Sequence, residues 1–399
     1  MSRLAELIEE LCPDGVEYRP LSELVGIRNG CDYKTLSPGN VPVYGSGGVM
    51  THVSEALGEG PTVLIPRKGS LDNIFFVEGE FWTVDTIFYT EIASDLDPKF
   101  FYYKMKTMRL SQMNEAAGVP SMNQRKLGRI QIPVPPLEVQ REIVRILDQF
   151  TTLEAELEAE LEARRTQYEH YRNHLLSMTA LKQRCGEIPV RKLGEVGVFH
   201  GGLTGKTKAD FSDSPDASAF VTYKEIYSRI EIDSIPVGRV QVADKEKQLA
   251  LQYGDVLFTG SSENSEEVGM TAVVTSEFSE RVYLNSFSIC FRWSEELFDP
   301  GYAKHMFNSP EIRREIQRCA SGVTRFNLSK KRMEKISVPV PPLEVQHEIM
   351  RVLDDFDALV NDISSGLPAE IAARRAQYEH YRDRLLSFPE KRVSDKEAS

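Results

Sequence analysis

The segment PVPPLEVQREIVRILDQF at residues 133–150 occurs a second time as PVPPLEVQHEIMRVLDDF at residues 339–356. Fourteen of the 18 positions are identical at an offset of 206 residues. A second pair follows, ARRTQYEHYRNHLLS at 163–177 and ARRAQYEHYRDRLLS at 373–387, at an offset of 210 residues. This spacing is far longer than the repeat of a solenoid protein. It therefore indicates a duplicated half-protein.

Each copy predicts a long helix that begins after a Pro-Pro pair, because proline is tolerated in the first turn of a helix but not in its interior. Apolar residues then recur at the four–three spacing that is typical of a coiled coil. The second helix can bury its apolar seam against the first only by running back, so the pair is predicted to be antiparallel. The offset grows by four residues between the two repeated segments, and Gly366 and Pro368 lie near that insertion. We therefore expect a kink or a break there.

The predicted fold class is α+β, with two β-rich globular domains, two long antiparallel coiled-coil helices and internal pseudo-two-fold symmetry. Residues 97–117 and 302–319 are predicted to be helical within the globular parts. The two helices are nearly identical whereas the globular parts differ strongly, which implies one scaffold that presents two different recognition surfaces. The predicted boundaries are 1–136 for an N-terminal helix and the first domain, 137–181 for the central helix, 182–342 for the second domain, 343–388 for the C-terminal helix and 389–399 for a polar, disordered tail.

Composition restricts the class of protein. The chain has 399 residues, 41% of them hydrophobic, and no apolar run approaches the 18 residues of a membrane span. The acidic N-terminus lacks the order of a signal peptide, and the five cysteines form no CxxC pair, so a cytoplasmic protein with reduced thiols is predicted. The net charge of −12 argues against nucleic acid, but basic residues cluster locally at 67–68, 125–129, 206–208 and 325–335.

Two motifs could indicate chemistry. HGGLTGKT at 200–207 resembles a phosphate-binding loop, but His200 replaces the leading glycine and no amphipathic helix follows. A flexible loop that carries Lys206 and Lys208 towards a DNA backbone is the preferred interpretation. His170 and His380 lack a second ligand at metal spacing and are interpreted as helix-surface or partner-contact residues. No catalytic residue and no metal site are predicted.

Binding is therefore the predicted activity of the globular parts. Glycine-rich turns with Ser, Arg and Lys occur at YGSGG (44–48), PRKGS (66–70) and FTGSS (258–262), and both domains close with a Gly–x4–Asn pattern at 118–123 and 322–327. Such turns allow close approach, while Arg and Lys can meet phosphates or guanine edges. The predicted DNA contacts are Tyr44, Ser46, Arg67, Lys68, Ser70, Thr204, Lys206, Lys208, Ser261, Ser262, Arg325 and Asn327.

The duplicated motif is specific. Gly–x4–Asn followed by Ile/Val-Pro-Val-Pro-Pro-Leu-Glu-x-Gln occurs at 118–143 and 322–349, and the sequence LIEELCPDGVEYRPLSEL occupies 7–24. In these features, and over essentially its whole length, the chain resembles the DNA-specificity subunits of type I restriction–modification systems.

The resemblance implies two target-recognition domains that each read half of a split site in double-stranded DNA. It implies docking of two methyltransferase subunits and of restriction/translocase subunits. S-adenosylmethionine, ATP and magnesium are expected in those partners and no cofactor in this chain. The predicted subunit-interface residues are Tyr168, His170, Tyr171, Tyr378, His380 and Tyr381.

One alternative belongs to a different class of protein. A coiled-coil scaffold whose globular ends bind protein partners would suit the acidic net charge slightly better. The duplicated motif favours the DNA-specificity subunit much more strongly.

Overall fold

The computed structural model describes residues 3–114, 118–211, 214, 217–243, 245–361 and 365–391. The chain forms two compact units. We call Met1–Glu158 with Glu370–Ser399 the first unit, and Ala159–Ala369 the second unit. Each unit therefore contains one globular segment and a part of each long-helix region.

The helices follow the duplication. In chain order they are α1 (Arg3–Leu11), α2 (Leu21–Leu24), α3 (Pro98–Thr107), α4 (Gln124–Gly128), α5 (Leu137–Leu175), α6 (Met178–Cys185), α7 (Leu193–Val196), α8 (Tyr223–Ser228), α9 (Pro300–Phe307), α10 (Pro310–Arg318), α11 (Lys330–Met333), α12 (Leu343–Asn361) and α13 (Leu367–Leu385). None of the helices in the described parts combines the length and the apolar character needed to cross a bilayer.

The strands of the first unit form two four-stranded sheets and a two-stranded pair, in the orders β2-β9-β6-β7, β4-β3-β8-β5 and β1-β10. The strands are β1 (Glu17–Pro20), β2 (Val25–Asn29), β3 (Pro38–Gly45), β4 (Gly48–Val53), β5 (Gly58–Glu59), β6 (Thr62–Pro66), β7 (Phe75–Val77), β8 (Glu80–Thr83), β9 (Ile87–Ile92) and β10 (Gln131–Val134).

The second unit has more sheets, in the orders β12-β20-β16-β18-β14, β15-β13-β19, β17-β22-β21 and β11-β23. The strands are β11 (Val190–Lys192), β12 (Gly197–Gly201), β13 (Ser218–Val221), β14 (Glu231–Ile232), β15 (Gly238–Val240), β16 (Val256–Thr259), β17 (Ser261–Ser262), β18 (Thr271–Val274), β19 (Val282–Leu284), β20 (Ser288–Trp293), β21 (Ala320–Ser321), β22 (Phe326–Leu328) and β23 (Ser337–Pro339).

Each long helix starts on the core of its own globular segment. Ile143 and Leu147 of α5 are fully buried in the core of the first unit. Ile349 and Leu353 of α12, 206 residues later, are buried in the core of the second unit. Burial of such side chains contributes roughly 1.5–3 kcal/mol each, so the repeated helix start is a part of each domain core.

The glutamine of the repeated PPLEVQ motif fixes this junction. Gln140 is fully buried, accepts a hydrogen bond from the Asp97 N–H at 2.7 Å and donates to the carbonyls of Asp95 and Pro135. Asp97 in turn caps α3. Because a buried amide with every partner satisfied tolerates little displacement, Gln140 fixes α3 against the start of α5.

The second unit repeats the arrangement atom for atom. Gln346 accepts from the Asp299 N–H at 2.9 Å and donates to the carbonyls of Leu297 and Pro341. Asp299 caps α9 as Asp97 caps α3. No role was predicted for either glutamine, although the recurrence of a polar side chain among the apolar positions of the helix start was a signal for a buried polar clamp.

The helices pair within each unit, and the predicted antiparallel direction is confirmed. In the first unit, Phe150 of α5 stacks on Tyr381 of α13 with ring centroids 5.7 Å apart, while the later residue Glu154 meets the earlier residue Arg375 at 2.5 Å. In the second unit, Tyr171 of α5 stacks on Phe356 of α12 at 5.3 Å. The two stacks join equivalent positions of the duplicated sequence.

Two predicted helix boundaries are wrong. The central helix was predicted for 137–181, but α5 ends at Leu175 because Ser177 caps a separate helix, α6. The C-terminal helix was predicted for 343–388, but α12 ends at Asn361 and α13 begins at Leu367. This separation confirms the break expected near Gly366 and Pro368. Pro368 lies in the first turn of α13. Residues 362–364 lie outside the described residues.

Two smaller helix predictions need correction. The helix predicted for 97–117 is α3 followed by a 3₁₀ turn at Leu110–Met113, and residues 115–117 lie outside the described residues. The helix predicted for 302–319 is divided into α9 and α10, because Pro310 starts a new helix after the Ser309 cap position.

The tail predicted to be disordered begins as ordered chain. The Val16 N–H donates to the Pro389 carbonyl, and the Lys391 N–H donates to the Val16 carbonyl. This segment is therefore a short strand-like extension of the first unit as far as Lys391. Residues 392–399 lie outside the described residues.

Candidate nucleic-acid interface

The glycine-rich turns of the first unit lie side by side at the ends of strands. The YGSGG turn joins β3 to β4, and PRKGS follows β6. Ser46 accepts a hydrogen bond at its carbonyl from Asn73 at 3.1 Å, and a Cβ on Gly69 would lie 3.0 Å from the Ser46 hydroxyl. Gly69 has a φ of +84°, which favours glycine. Two predicted contact segments are thus brought together.

Two basic clusters that are distant in sequence converge beside these turns. A shallow surface cavity of about 470 Å³ is lined by Arg67, Phe88 and Arg125, together with Asn29, Asn123 and Gln124. The Arg67 guanidinium lies over the Phe88 ring, 5.9 Å from its centroid. Lys68 pairs with Ser121 in an isolated β-bridge and remains exposed, as does Ser70. Tyr44 is half-buried, and its ring lies 5.9 Å from Phe75.

The backbone hydrogen bonds of Arg67, at the end of β6, have a counterpart in the second unit. In the first unit, the Arg67 N–H donates to the Thr86 carbonyl, and the Met122 N–H donates to the Arg67 carbonyl. In the second unit, the Gly260 N–H donates to the Phe287 carbonyl, and the Leu328 N–H donates to the Gly260 carbonyl. Arg67 is therefore equivalent to Gly260, and Thr86 to Phe287.

This equivalence corrects one motif correspondence. The Gly–x4–Asn pattern aligned Asn123 with Asn327, but Asn123 caps α4 with its side chain, and Ser329 occupies the matching cap position of α11. Asn327 instead pairs with Ser261 in the β17–β22 ladder. The helix cap lies five residues after Gly118 in the first unit and seven residues after Gly322 in the second, so equal spacing in the motif does not mean equal position.

Arg325 is the centre of the cluster in the second unit. Its guanidinium donates to the Ser261 hydroxyl at 3.2 Å and lies over the Phe287 ring, 5.7 Å from the centroid. Asn327 donates to the Arg325 carbonyl. Ser261 and Ser262 are buried, and the Ser262 hydroxyl accepts from the Asn264 N–H. Each unit thus places an arginine over a phenylalanine at the same junction, although the arginines come from different segments.

The loop at 202–208 differs from its prediction as a flexible arm. Lys206 forms an ion pair with Glu246 at 2.5 Å, and its side chain is only 4% exposed. A hydrogen bond from Lys206 lowers the pKa of Glu246. Thr204 is held through its backbone N–H and carbonyl by Gln248. The expectation of a free Lys206 is therefore wrong, whereas Lys208 is exposed at the start of a 3₁₀ turn, Lys208–Asp210.

That loop nevertheless begins beside the cluster of Arg325. The Gly202 N–H donates to the Ser288 carbonyl, and a Cβ on Gly202 would lie 1.8 Å from the Asn285 carbonyl oxygen. Only glycine fits this approach. The predicted contacts of the second unit therefore surround the turn between β19 and β20.

The predicted subunit-interface residues divide into two groups. His170, Tyr171, His380 and Tyr381 are exposed on α5 and α13. Tyr168 is buried, with its hydroxyl 3.4 Å from His305 Nδ1, and burial raises the pKa of that hydroxyl. Tyr378 is half-buried beside Phe150. Tyr168 is therefore a core residue of the second unit, which corrects its assignment to an exposed interface.

A buried polar network lies next to Tyr168 and was not predicted. His305 Nε2 lies 2.9 Å from Asp354, and Lys304 lies 2.9 Å from Asp354 and 3.1 Å from Glu231. In the first unit, Tyr103 donates to Asp148 at 2.6 Å at the corresponding place. All these groups have close partners, which is the arrangement expected of a structural network rather than of a reactive site.

Within the described parts of the chain, no group of three or more His, Cys, Asp or Glu side chains could hold a metal ion. All five cysteines are free thiols.

The comparisons with known proteins agree with this duplicated architecture. A family model described as "Type I restriction modification DNA specificity domain" matches residues 13–163 and 186–373. A type I restriction enzyme specificity subunit from Haemophilus influenzae is 29% identical over 390 residues, covering 94% of this chain and 96% of the relative. The EcoR124I/EcoR124II specificity subunit of Escherichia coli is 32% identical over 318 residues, covering 73% of this chain and 71% of the relative.

A solved structure shares the fold. The S subunit of a type I restriction–modification system from M. genitalium matches with a TM-score of 0.53 and 14% identity, covering 93% of this chain and 96% of that one. The ranges that the family model matches contain both globular segments and the first part of each long-helix region. The chain belongs to the type I restriction–modification DNA specificity family.

Proposed function

We propose that this chain reads a bipartite, asymmetric DNA site for a type I restriction–modification complex, with one half-site read by each unit. The proposal rests on one observation: the same pattern of backbone hydrogen bonds occurs in both units, but the residues that form it carry different side chains. Arg67 and Thr86 in the first unit replace Gly260 and Phe287 in the second. A shared frame with different surface groups is what two recognition domains for different half-sites require.

The DNA-contacting surface of the first unit is proposed to be centred on Arg67 and Arg125. Both residues line one cavity, together with Asn123 and Gln124. A guanidinium can donate two parallel hydrogen bonds to the O6 and N7 atoms of guanine. The Phe88 ring beneath Arg67 restricts that side chain, which lowers the entropy lost on binding. Tyr44, Ser46, Lys68 and Ser70 flank this surface.

In the second unit the corresponding group is Arg325, with Ser261 and Asn327 in the same ladder. Lys208 is exposed on the loop that leaves from Gly202 and suits a phosphate contact. Thr204, Lys206 and Ser262 are proposed only as supports of this surface. Gln248 holds the backbone of Thr204, Glu246 pairs with Lys206, and the Ser262 hydroxyl accepts from the Asn264 N–H.

The partner subunits are proposed to carry all of the chemistry. The names of the relatives describe restriction enzyme specificity subunits, and such a subunit positions enzymes on DNA. Two methyltransferase subunits with S-adenosylmethionine, and restriction subunits with ATP and magnesium, would act in the cytoplasm on the site that this chain selects. His170 with Tyr171 and His380 with Tyr381 form two equivalent exposed pairs, which suits the docking of two copies of one partner.

A coiled-coil scaffold for protein partners is not favoured. The family match extends through both globular segments and is not confined to the helices. The acidic net charge is no obstacle, since the proposed contact surfaces carry local positive charge.

The test is the exchange of one recognition domain. Residues 14–132 are replaced by the matching segment of a relative, and the methylated motif of a host carrying the complete system is sequenced. We expect one half-site to change and the other to stay. The reciprocal exchange of 182–338 is the control, and a change of both half-sites in either exchange would contradict the assignment of one half-site to each unit.

A further inference from the structure

Phe287 lies at the tip of a tight turn and has an exposed side chain. The Ser288 N–H donates to the Asn285 carbonyl, which closes a β-turn with Phe287 at its third position. Polar residues and glycine normally occupy such positions. Phe287 is nevertheless 61% exposed. The turn therefore presents a large apolar ring to solvent at a place where it gains little from burial.

The turn is held rigidly by Asn285. This buried side chain accepts hydrogen bonds from the Phe287 N–H at 3.0 Å and from the Ser288 hydroxyl at 3.1 Å, and it donates to the Val221 carbonyl at 3.1 Å. Gly202 packs against the backbone of the same residue. Since the backbone is held on two sides, the point from which the ring projects is fixed before any ligand arrives.

The surroundings of the ring are those of a nucleic-acid contact. Arg325 lies over the ring, 5.7 Å from its centroid. Val323, from the same segment as Arg325, is 91% exposed. A guanidinium backed by an aromatic ring can meet phosphate or guanine, while the ring itself has open surface for a base.

The first unit lacks this feature. Its equivalent turn runs from Val84 to Ile87, with the Ile87 N–H donating to the Val84 carbonyl, and it presents the polar residues Asp85 and Thr86. Phe88, which lies under Arg67, is buried. The exposed ring is thus a property of one recognition surface and not of the common frame.

We propose that Phe287 is a specificity-determining wedge, which enters the base stack at one step of the half-site read by the second unit. Apolar side chains of DNA-binding proteins unstack a base step in this way, most easily at flexible pyrimidine–purine steps. Arg325 then contacts the adjacent phosphate or guanine. The inference rests on the proposed function, because it assigns a role within that DNA-reading surface.

The experiment uses the full chain assembled with its methyltransferase partner. The DNA is an unmethylated duplex that carries the motif recognised by the complex. Permanganate, which oxidises unstacked thymines, reports the opening of the stack. Because the methyltransferase partners extrude their target bases in both half-sites, we expect at least one further hyper-reactive thymine in the half-site of the second unit that has no counterpart in the other half-site. F287A should abolish that reactivity and reduce the ratio of specific to non-specific affinity about tenfold or more, as the loss of a base–aromatic contact does.

Two further variants complete the test. F287W, which keeps an aromatic ring, should retain the reactivity, while V237A, which removes an exposed apolar side chain from the same unit, should behave as the wild type. If F287A binds and methylates the same motif with unchanged thymine reactivity, the wedge is refuted although the proposed function stands. If the wild-type complex binds no motif specifically, the proposed function itself fails.

Discussion

At the scale of single residues, the buried glutamines show how a recurring polar side chain can specify a fold. Gln346 satisfies one N–H and two carbonyl groups that would otherwise be buried without partners. Leaving a buried polar group unsatisfied costs about 1–3 kcal/mol. Removal of the amide therefore leaves buried groups without partners in addition to the cavity that any truncation creates.

We predict that Q346A destabilises the second unit by about 2–4 kcal/mol. The effect should appear as faster hydrogen exchange of α9 amides and as a lower thermal transition. E344A, at an exposed position two residues earlier, is the matched control and should be nearly neutral. Equal exchange rates in the two variants would mean that Gln346 does not clamp α9.

The network around Asp354 leads to a pH prediction. Burial opposes ionisation of Asp354, but hydrogen bonds from His305 and Lys304 outweigh it and lower the pKa of the carboxyl group. For Lys304, burial is likewise outweighed by Asp354 and Glu231, so that the pKa of the ammonium group is raised. The charged pair therefore stabilises the second unit between the ordinary pKa values of the two groups, about 3.9 and 10.4.

The variant D354N should lose about 2 kcal/mol of unfolding free energy at pH 7. This loss is smaller than the loss expected on breaking a fully buried ion pair, because water partly screens Asp354. A carboxyl group with a lowered pKa contributes above its unfolded pKa and loses that contribution as pH falls through its folded pKa. The difference between wild type and D354N, measured by urea unfolding, should thus be present at pH 7 and shrink below about pH 4. A difference that grows in acid would contradict this assignment.

Some residue roles could be predicted from sequence and others could not. The positions of Arg67, Lys68 and Arg325 beside the strand-end turns agree with the sequence motifs, while their contacts with DNA stay a prediction. The pairing of Lys206 with Glu246 and the burial of Tyr168 against His305 depend on residues 40 and 137 positions away. Convergence of Arg67 with Arg125 likewise requires the tertiary fold. Phe287 has no sequence signal at all, because only the turn geometry makes its exposure unusual.

At the scale of elements, the apolar periodicity predicted the helix pair and its direction, but local caps decided where the helices end. Ser177 stops α5 short of the predicted end by capping α6. The direction was predictable because chain order permits only one way of joining the two apolar seams. The ends were not, since the periodic pattern continues across residues 175–178 and gives no sign of the interruption.

Equivalent aromatic stacks should stabilise the two helix pairs equally. We predict coupling energies of about 0.5–1.5 kcal/mol for Phe150 with Tyr381 and for Tyr171 with Phe356. Double-mutant cycles with alanine, followed by chemical unfolding, measure these energies. Phe150 with Tyr171, which stack on different partners, is the control pair and should show additive effects. Additivity in the stacked pairs would show that the ring contacts do not hold the helices together.

At the scale of the whole molecule, the repeated tetrapeptide in EAELEAEL at 154–161 lies where the two units divide the chain. The division falls between Glu158 and Ala159 in α5, and between Ala369 and Glu370 close to the start of α13. An insertion at this point leaves the described contacts inside each unit in place. The Arg375 contacts with Glu154 and Glu158 also belong to the first unit alone.

We predict that a third EAEL unit, made by inserting AELE after Glu158, lengthens the unread spacer of the DNA site by about one base pair and leaves both half-sites unchanged. Four residues add about 6 Å of helix and rotate its far end by about 40°, because four residues exceed a 3.6-residue turn. One base pair of DNA rises about 3.4 Å, so the added length corresponds to between one and two base pairs. Sequencing the methylated motif of the insertion variant measures the spacer.

A substitution variant that keeps the length, with EAEL at 158–161 changed to QAQL, is the control and should leave the spacer as it is. Retained activity on an unchanged spacer in the insertion variant would mean that α5 does not set the distance between the half-sites.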